Sequence, residues 1–374
     1  MNTKRPTSAP PMRLDKCNDI TLELKPSFGY NRGHQNSIET VVINPMNPNQ
    51  ALTASHDQKI AIWDLNTCQT TKVIDNAHKS GVWCAQYNHQ GTQFASCGPD
   101  TVVKIWNAKN NKVDSVFKGH TNYVYWVDFD QSGTKLVSGG KNSELILWDA
   151  KKGKQIISAR TEGKIVNCAR IDPSGRYVFT AEKKGWLEAW DLNDRCRHLG
   201  KVQIPNVSNV HQIDFDFTST NYPKIYIADS SGHFRVLTFD GMFFKQIDSF
   251  EAHTDMVKAI KVIPSKQLLV TGCRDSGIKV WDMKDWQFVA QLTRHKDQVV
   301  SLAHHPDMPD RLVTGSWDQS INCYDLTKLS ELRERASEKL LEIEQSNMTA
   351  LKEANNMKDA WEAKLDADGQ IRLK

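Results

Sequence analysis

The tripeptide Ser55-His56-Asp57, in the run ALTASHDQKIAIWD, contains the three residue types of a hydrolytic triad. In such a triad a histidine base activates a serine nucleophile, and a carboxylate orients the histidine. A triad requires side chains that face one another in these roles, and three adjacent residues do not meet that geometry easily. The rest of the chain must therefore decide whether these residues catalyse a reaction or hold a structure.

The acidic residue of the tripeptide recurs along the chain at one fixed spacing. Asp57 lies six residues before Trp63, and the same interval precedes later aromatic residues at Asp100, Asp275 and Asp318. An enzyme has no need of its active-site residues several times over, so the repetition favours a structural role. The sequence also has no GxGxxG, no HExxH and no nucleophile elbow. We therefore expect no catalytic residue, no cofactor and no enzymatic activity.

The aromatic residues mark an internal repeat. They follow one another at intervals of 43, 42, 42, 49, 42 and 43 residues, at Trp63, Trp106, Trp148, Trp190, Phe239, Trp281 and Tyr324. Each unit holds four short alternating apolar runs separated by turn residues, a pattern typical of β-propellers and β-sandwiches. One such unit cannot bury both of its faces, whereas units stacked around an axis can.

The period, the Gly-His and Trp-Asp pairs and the number of units resemble the WD40 repeat family over residues 20–326. The resemblance implies an all-β fold, a seven-bladed β-propeller in which the spare strand ITLELKPS (20–27) completes the last blade. Units three, four and five depart from the pattern, with Asn142, Lys184 and Phe239 at repeat positions.

The resemblance also implies a hydrogen-bond network within each blade, shared by a histidine, the turn aspartate, a strand Ser or Thr and the tryptophan. In unit one, Thr53 or Ser55 would supply the hydroxyl. Such partners matter because an unpaired buried polar group costs a few kcal/mol. We expect the network at His34, Asp57, Trp63, His78, Asp100, Trp106, His120, Trp148, His253, Asp275, Trp281, His295 and Asp318.

Propellers of this family bind proteins or peptides on the face where the histidine loops and aspartate turns emerge. By that resemblance the rim of this face would comprise His56, Pro99, Lys141, Arg274 and Trp317, and its inner ring Glu39, Trp83, Tyr125, Asn167, His211, Lys258 and Val300. Tryptophan, tyrosine and arginine dominate interface hot spots, which favours the aromatic members. Trp126 and Trp186 are expected in the core.

The last segment has a different period. A heptad seam runs through residues 327–368, with members at Leu329, Leu340, Ile343, Asn347, Met357 and Trp361. We expect a C-terminal α-helix that forms a coiled coil with itself or a partner. The alternative is a single solvated helix, or one whose apolar stripe packs against the propeller. Residues 1–16 are basic and contain proline, which predicts a disordered tail, and residues 369–374 form a short tail after the helix.

Composition narrows the class of protein. The net charge of +4, from 48 basic and 44 acidic residues, is too small to indicate nucleic acid binding by itself. No apolar run approaches the roughly 18 residues of a membrane span, and the first residues lack the apolar core of a secretory signal. The eight cysteines show no CxxC pair and no His/Cys ligand spacing, which argues against a zinc site and a disulfide framework. We expect an intracellular, cytoplasmic protein.

The predicted layout is a propeller over residues 17–326 followed by a coiled coil, which resembles coronins and centriolar WD40 proteins. We expect a non-catalytic scaffold that binds other proteins and self-associates through its C-terminal helix, in a cytoskeletal, centriolar or ciliary assembly. The alternative is a subunit of a signalling, vesicle-trafficking or RNA-processing complex.

Overall fold

The computed structural model describes residues 23–24, 28–30, 33–67, 69–218 and 223–329. Glu23–Leu326 forms one compact unit, and residues 1–22 with 327–374 form a second, of which only residues 327–329 are described. Leu329 is buried. The other predicted seam residues lie outside the described residues, so the coiled coil stays a prediction. So does the basic N-terminal tail.

The first compact unit consists of seven sheets, the blades of a propeller, as the repeat predicts, and their strands are antiparallel except for one short parallel strand at the edge of blade six. Two short strands, β1 (Glu23–Leu24) and β2 (Phe28–Tyr30), precede the first blade. Blades one and two contain β3 (Ile38–Asn44), β4 (Asn47–Ser55), β5 (Ile60–Asp64), β6 (Gln69–Ile74), β7 (Cys84–Tyr87), β8 (Gln93–Cys97), β9 (Val102–Asn107) and β10 (Val113–Lys118).

Blades three and four repeat the same four-stranded order. They contain β11 (Val124–Phe129), β12 (Lys135–Gly140), β13 (Glu144–Asp149), β14 (Lys154–Arg160), β15 (Val166–Ile171), β16 (Tyr177–Glu182), β17 (Trp186–Asp191) and β18 (Arg197–Gln203).

Blades five to seven complete the circle. They contain β19 (Val210–Asp216), β20 (Lys224–Asp229), β21 (His233–Phe239), β22 (Phe244–Glu251), β23 (Val257–Ile263), β24 (Leu268–Cys273), β25 (Ile278–Asp282), β26 (Phe288–Leu292), β27 (Val299–His305), β28 (Met308–Ser316) and β29 (Ile321–Asp325).

The burial of each strand follows its place in the blade. The middle strands β8, β12, β16, β20 and β24 are buried along most of their length, whereas the fourth strands β6, β10, β14, β18 and β22 are mainly exposed or half-buried. Neighbouring blades share their cores, which buries the sheet faces that one unit leaves open. Between blades seven and one, for example, Ile38 and Val41 lie in one apolar cluster with Ala303 and Val313.

The two ends of the propeller meet in blade seven. Strand β2 pairs antiparallel with β29, placing Phe28 opposite Cys323 and Tyr30 opposite Ile321. An N-terminal strand therefore closes the last blade, but it is Phe28–Tyr30 and not the predicted 20–27. The predicted run contains a proline at position 26, and proline disfavours a continuous strand because it has no N–H to donate to a ladder. Within that run, strand β1 pairs instead with β26 of blade six, in parallel.

Candidate functional site

The hydrogen-bond network of blade two joins two strands, the loop before the blade and the turn between β8 and β9. The indole Nε1–H of Trp106 donates to Ser96 Oγ over 2.7 Å, and Ser96 Oγ lies 2.7 Å from His78 Nε2. His78 Nδ1 lies 2.8 Å from Asp100 Oδ1. Every polar group is satisfied if the hydroxyl donates to Nε2 and the Nδ1–H donates to the carboxylate.

The charges of this network agree with that arrangement. Burial lowers the pKa of His78, which keeps the imidazole neutral at pH 7. Burial also pushes the pKa of Asp100 upward, but hydrogen bonds from His78 and the Lys79 amide outweigh it, so the pKa is lowered overall. The pair is therefore a neutral imidazole that donates to an ionised carboxylate.

Blade one contains the same network, with threonine supplying the hydroxyl. Blade seven keeps the histidine, aspartate and threonine, but Tyr324 stands in place of the tryptophan and its hydroxyl donates to the Thr293 carbonyl. Thr53 Oγ1 lies 2.7 Å from His34 Nε2 and accepts from Trp63 Nε1 over 2.8 Å. Of the two candidate hydroxyls in unit one, Thr53 is thus the network member, whereas Ser55 donates to the Asn36 carbonyl. In blade one His34 lies 2.9 Å from Asp57. In blade seven His295 lies 2.9 Å from Asp318 and 2.8 Å from Thr314, and in blade six the Trp281 indole donates to Thr271 over 3.1 Å.

These contacts answer the question that the Ser-His-Asp tripeptide raises. A serine, a histidine and an aspartate do face one another, but they are Ser96, His78 and Asp100. Ser96 is fully buried and its oxygen already accepts the Trp106 indole N–H. A nucleophile must reach a substrate carbon, and this hydroxyl has no route to one. The arrangement stabilises the blade.

Blade three builds the network with a different carboxylate. His120 Nδ1 lies 3.0 Å from Glu144 Oε2, which also accepts the Thr121 N–H, and Trp148 Nε1 donates to Ser138 Oγ. The conformation of the turn before β13 explains why Glu144 takes the place of the usual turn aspartate. Both Asn142 and Ser143 have positive φ, 69° and 63°, whereas the equivalent turns have a single such residue at Gln58, Thr101, Ser276 and Gln319.

Blade four has no histidine in this position and buries two carboxyl groups instead. Thr180 Oγ1 donates to Glu182, which also accepts the Gly163 N–H, and Glu188 accepts the N–H of Glu162. Burial raises the pKa of Glu182 to about 8 and that of Glu188 to about 7. Two hydrogen-bonded carboxyl groups thus replace the imidazole–carboxylate pair.

A cavity lined by described residues lies at one mouth of the central channel. It has a volume of about 400 Å³. All seven residues of the predicted inner ring line it, together with two of the predicted rim residues and three others. The lining residues are Glu39, His56, Trp83, Tyr125, Trp126, Asn167, His211, Gln212, Lys258, Gln298, Val300 and Trp317.

Four aromatic side chains line one side of this cavity, namely His56, Trp83, Tyr125 and Trp317, and Tyr123 packs against Trp83 beside them. We call these five residues the aromatic wall. The Trp83 and Tyr125 rings are stacked with centroids 4.8 Å apart, and Tyr123 meets Trp83 edge-on at 5.4 Å. His56 lies 6.0 Å from Trp83 and 6.2 Å from Trp317, and so connects blades two and seven. Sequence reasoning missed Tyr123, which lies in the loop before β11.

The cavity contains hydrogen-bond donors that the protein does not use. Within the described part of the chain, the buried Nε1 atoms of Trp83, Trp126 and Trp317 have no hydrogen-bond partner, and neither does Nε2 of His211. Buried polar groups in native proteins are nearly always paired with protein or water. Three indole N–H groups around one cavity are therefore suited to a ligand that presents oxygen acceptors.

Ionisable groups give the cavity a mixed charge. His56 Nε2 lies 2.8 Å from Glu39 Oε1, and this hydrogen bond raises the pKa of His56. Across the channel, burial and the nearby Lys258 lower the pKa of His211 to about 3, so this imidazole is neutral at pH 7. Burial also lowers the pKa of Lys258.

Some residues that the sequence predicted for the rim or for the core lie elsewhere in the structure. Lys141 and Arg274 do not line the cavity: the Lys141 ammonium lies 5.3 Å from the centre of the Tyr123 ring, and Arg274 is exposed. Trp126 lines the cavity as well as packing against the core, and Trp186 is half-buried beneath the Lys201 ammonium. Trp126 thus packs against the core as expected and also reaches the cavity, whereas the expectation that Trp186 is a core residue is wrong.

Parts of the sequence are similar to parts of known proteins. Nuclear distribution protein nudF of Emericella nidulans is 29% identical over 91 residues, 24% of this chain and 20% of the relative. Small ribosomal subunit protein RACK1 of Drosophila melanogaster is 31% identical over 152 residues, 28% of this chain and 48% of the relative. Cilia- and flagella-associated protein 337 B of Tetrahymena thermophila is 33% identical over 60 residues, 16% of this chain and 5% of the relative. The chain spans less than half the length of each.

A family model matches the repeats themselves. The model of the WD domain, G-beta repeat, matches residues 26–64, 67–107, 111–149, 244–282 and 286–325, which is more than half of the chain. The unmatched interval, residues 150–243, covers blades four and five, whose departures from the repeat the sequence already showed. The described residues contain no helix long and apolar enough to cross a membrane. With seven blades and five matched repeats, the chain belongs to the WD40 family of G-beta repeat proteins.

Proposed function

We propose that this protein is a non-catalytic scaffold that binds a partner protein at the channel mouth. The observation that carries the proposal is the cavity of about 400 Å³, where the aromatic wall and three unpaired indole N–H groups converge. Stacked rings supply apolar contact area at low cost in conformational entropy, and tryptophan and tyrosine are typical interface hot spots. A peptide segment fits this site, because its carbonyl oxygens accept from the indoles.

The proposed setting is a cytoskeletal or ciliary assembly, with a C-terminal coiled coil over 327–368 as the second interaction element. The heptad seam in the sequence supports the coiled coil, and the similarity to a cilia- and flagella-associated protein supports the setting. The RACK1 match favours the alternative, a subunit of an RNA-containing complex, because that relative's name places it in the small ribosomal subunit.

Affinity purification from cells tests the proposal. The baits are the wild-type chain, the triple variant Trp83→Ala/Tyr125→Ala/Trp317→Ala, and a truncation that ends at Leu326. Trp186→Ala serves as the matched control, because this indole is half-buried but does not line the cavity. Circular dichroism and thermal melting must first show that each bait is folded.

We expect the triple variant to lose partners that the wild type and the control retain. Partners that survive the triple variant and vanish with the truncation would overturn the channel-mouth assignment and give the recruiting role to the C-terminal segment. The recovered proteins decide the setting: ciliary or cytoskeletal components support the first, and ribosomal or RNA-processing components support the alternative.

A further inference from the structure

Blade six departs from the network in a way that leaves a histidine nitrogen free. His253 Nδ1 lies 3.5 Å from Asp275 Oδ2 and makes no hydrogen bond to any described residue. The matching pairs in blades one, two and seven are 2.9, 2.8 and 2.9 Å apart. The His253 side chain is completely buried, and its other nitrogen, Nε2, lies 2.9 Å from Thr271 Oγ1. Leaving a buried nitrogen without a hydrogen-bond partner costs free energy of folding, so the difference between blade six and the other blades requires an explanation.

A thiol lies beside this nitrogen where other blades have a hydroxyl. In blade one the Asp57 N–H donates to Ser55 Oγ, and in blade seven the Asp318 N–H donates to Ser316 Oγ, each over 3.1 Å. In blade six the Asp275 N–H lies 3.4 Å from Cys273 Sγ. Cysteine therefore replaces serine at the same structural position, and it brings a soft ligand atom into the network.

The side chain that covers the histidine and the carboxylate in blade seven is missing in blade six. In blade seven the Ser320 hydroxyl donates to Asp318 and lies 3.3 Å from His295 Nδ1. The equivalent residue in blade six is Gly277, whose N–H donates to Asp275 Oδ1 over 2.8 Å and where an added Cβ would lie too close to that oxygen, at 2.8 Å, to fit without a shift. Gly277 is not among the residues with positive φ, so the turn itself does not require a glycine.

These three departures converge on one constellation. His253 Nδ1, Cys273 Sγ and an Asp275 carboxylate oxygen lie within 4.8 Å of one another, and the described residues contain no second group of this kind. Imidazole nitrogen, thiolate sulfur and carboxylate oxygen are the ligands that Zn²⁺ takes in proteins. Two zinc ligands at tetrahedral angles on bonds of about 2.0–2.1 Å lie roughly 3.3–3.4 Å apart, close to the distance between His253 and Asp275.

We propose that His253, Cys273 and Asp275 bind a Zn²⁺ ion on blade six, with a water molecule as the fourth ligand. The water enters from the solvent side, where Asp275 is exposed. The ion satisfies the free histidine nitrogen and ties the loop before β23 to the turn after β24. That turn also carries Arg274, so the ion orders one edge of the propeller face.

The charges of the site balance when the ion binds. Zn²⁺ displaces the thiol proton of Cys273, which passes to solvent, because the thiolate is the form that binds metal. The thiolate and the Asp275 carboxylate then balance the two charges of the ion. The neighbouring Lys279 ammonium donates to the Ala252 carbonyl over 2.7 Å and adds a positive charge nearby.

The test is a metal titration of the full-length, metal-free chain. Zn²⁺ is titrated against a chromophoric chelator, and Co²⁺ is added as a spectroscopic substitute whose thiolate charge-transfer band reports cysteine coordination. We expect one ion per chain. Cys273→Ser, which installs the residue of blades one and seven, is expected to weaken zinc binding at least ~10-fold and abolish the cobalt band. Gly277→Ser, which copies blade seven, is expected to weaken binding without removing a ligand.

A matched variant in blade seven separates geometry from thiol content. Ser316→Cys places a thiol beside a closed His295–Asp318 pair that Ser320 already caps, so the stoichiometry is expected to stay at one ion. The proposal is overturned if the wild-type chain binds no zinc, or if Cys273→Ser binds it equally well while remaining folded by circular dichroism. A second, equally tight ion in Ser316→Cys would also overturn it, because a thiol alone would then suffice.

Discussion

His120 Nδ1 lies 3.0 Å from Oε2 of Glu144, a residue two positions beyond the Asn142 that takes the place of the turn aspartate. The glutamate side chain is longer than that of aspartate, so it reaches the histidine from the first position of strand β13. Blade three therefore keeps the imidazole–carboxylate pair although its turn has a different conformation. The carboxylate that pairs with the histidine must therefore be identified by its position in space, because it does not always occur at the same position of the repeat.

Glu144→Gln is expected to lower the free energy of unfolding by roughly 1–3 kcal/mol at pH 7. The carboxylate accepts from His120 Nδ1, the Thr121 N–H and the Thr121 hydroxyl, and an amide has only one acceptor oxygen for these donors. Urea denaturation measures the change. Glu162→Gln is the control, because Glu162 is exposed and pairs only with Lys201 among charged groups. Equal denaturation midpoints for the two variants would contradict the assignment.

The same pair has a defined pH dependence. Burial acts to raise the pKa of Glu144, but hydrogen bonds from Thr121 and His120 outweigh it and the pKa is lowered. A carboxyl group with a lowered pKa stabilises the fold fully above its unfolded pKa of about 4.5 and loses that contribution as the pH falls through the folded value. The stability difference between wild type and Glu144→Gln is thus expected to shrink in acid, as denaturation at a series of pH values will show.

Two tryptophans at equivalent positions offer a matched test of the network hydrogen bond. Trp106 donates to Ser96, whereas Trp190 Nε1 has no partner among the described residues, and both rings are buried. Trp106→Phe is expected to cost about 1 kcal/mol more than Trp190→Phe, because only the first leaves a hydrogen bond unmade. Thermal or urea unfolding of both variants measures the difference. An equal cost would mean that ring packing alone determines the effect.

For the buried carboxyl group of Glu182, stability is expected to depend on pH with the opposite sign to that expected for Glu144. Burial raises its pKa to about 8, so the folded state keeps a proton that the unfolded chain releases near pH 4.5. Stability should therefore fall as the pH rises from about 5 to about 8. Glu182→Gln removes this loss, and at pH 8 it is expected to be more stable than wild type by on the order of 2 kcal/mol. Parallel stability profiles of the two proteins between pH 5 and pH 8 would rule this out.

The His56–Glu39 contact at the channel mouth predicts a titration that can be observed directly. The hydrogen bond that His56 donates to the Glu39 carboxylate raises the pKa of His56, so the imidazolium form is favoured and its contribution to stability is lost as the pH rises through that pKa. Glu39→Gln is expected to lower the His56 pKa, as measured by NMR titration of the imidazole protons. His304, which lies elsewhere, serves as the internal reference. An unchanged His56 titration would show that the contact does not form in solution.

The repeat predicted the blades because each one carries a similar aromatic residue on its third strand. The inner ring, including Glu39, Trp83 and Tyr125, was implied by the resemblance to the WD40 family, in which the start of each innermost strand faces the channel. The mutual stacking of Trp83 and Tyr125 could not be predicted, since it depends on side-chain rotamers in two different blades.

Other features depend on relationships that a repeat alignment does not show. Glu144 was missed because the turn at Asn142 and Ser143 changes conformation, which moves the carboxylate by two positions. Cys273 and His253 have no metal-binding spacing in the sequence, and only the pairing of strands brings them together. The closing strand was placed too early because the aromatic pair of Phe28 and Tyr30 was not recognised as a strand.

The pairing of Phe28–Tyr30 with Ile321–Cys323 has a consequence for synthesis of the chain. Because β2 precedes β29 by all the other strands of blades one to seven, its residues find their partners only when nearly the whole propeller has been made. Until then blade seven has one unpaired edge and blade one lacks a neighbour, so both expose strands that other chains can pair with. Closing a loop of this length is also entropically unfavourable before its contacts form. Ring closure is therefore the step at which chaperones would have the greatest effect on the yield of folded protein.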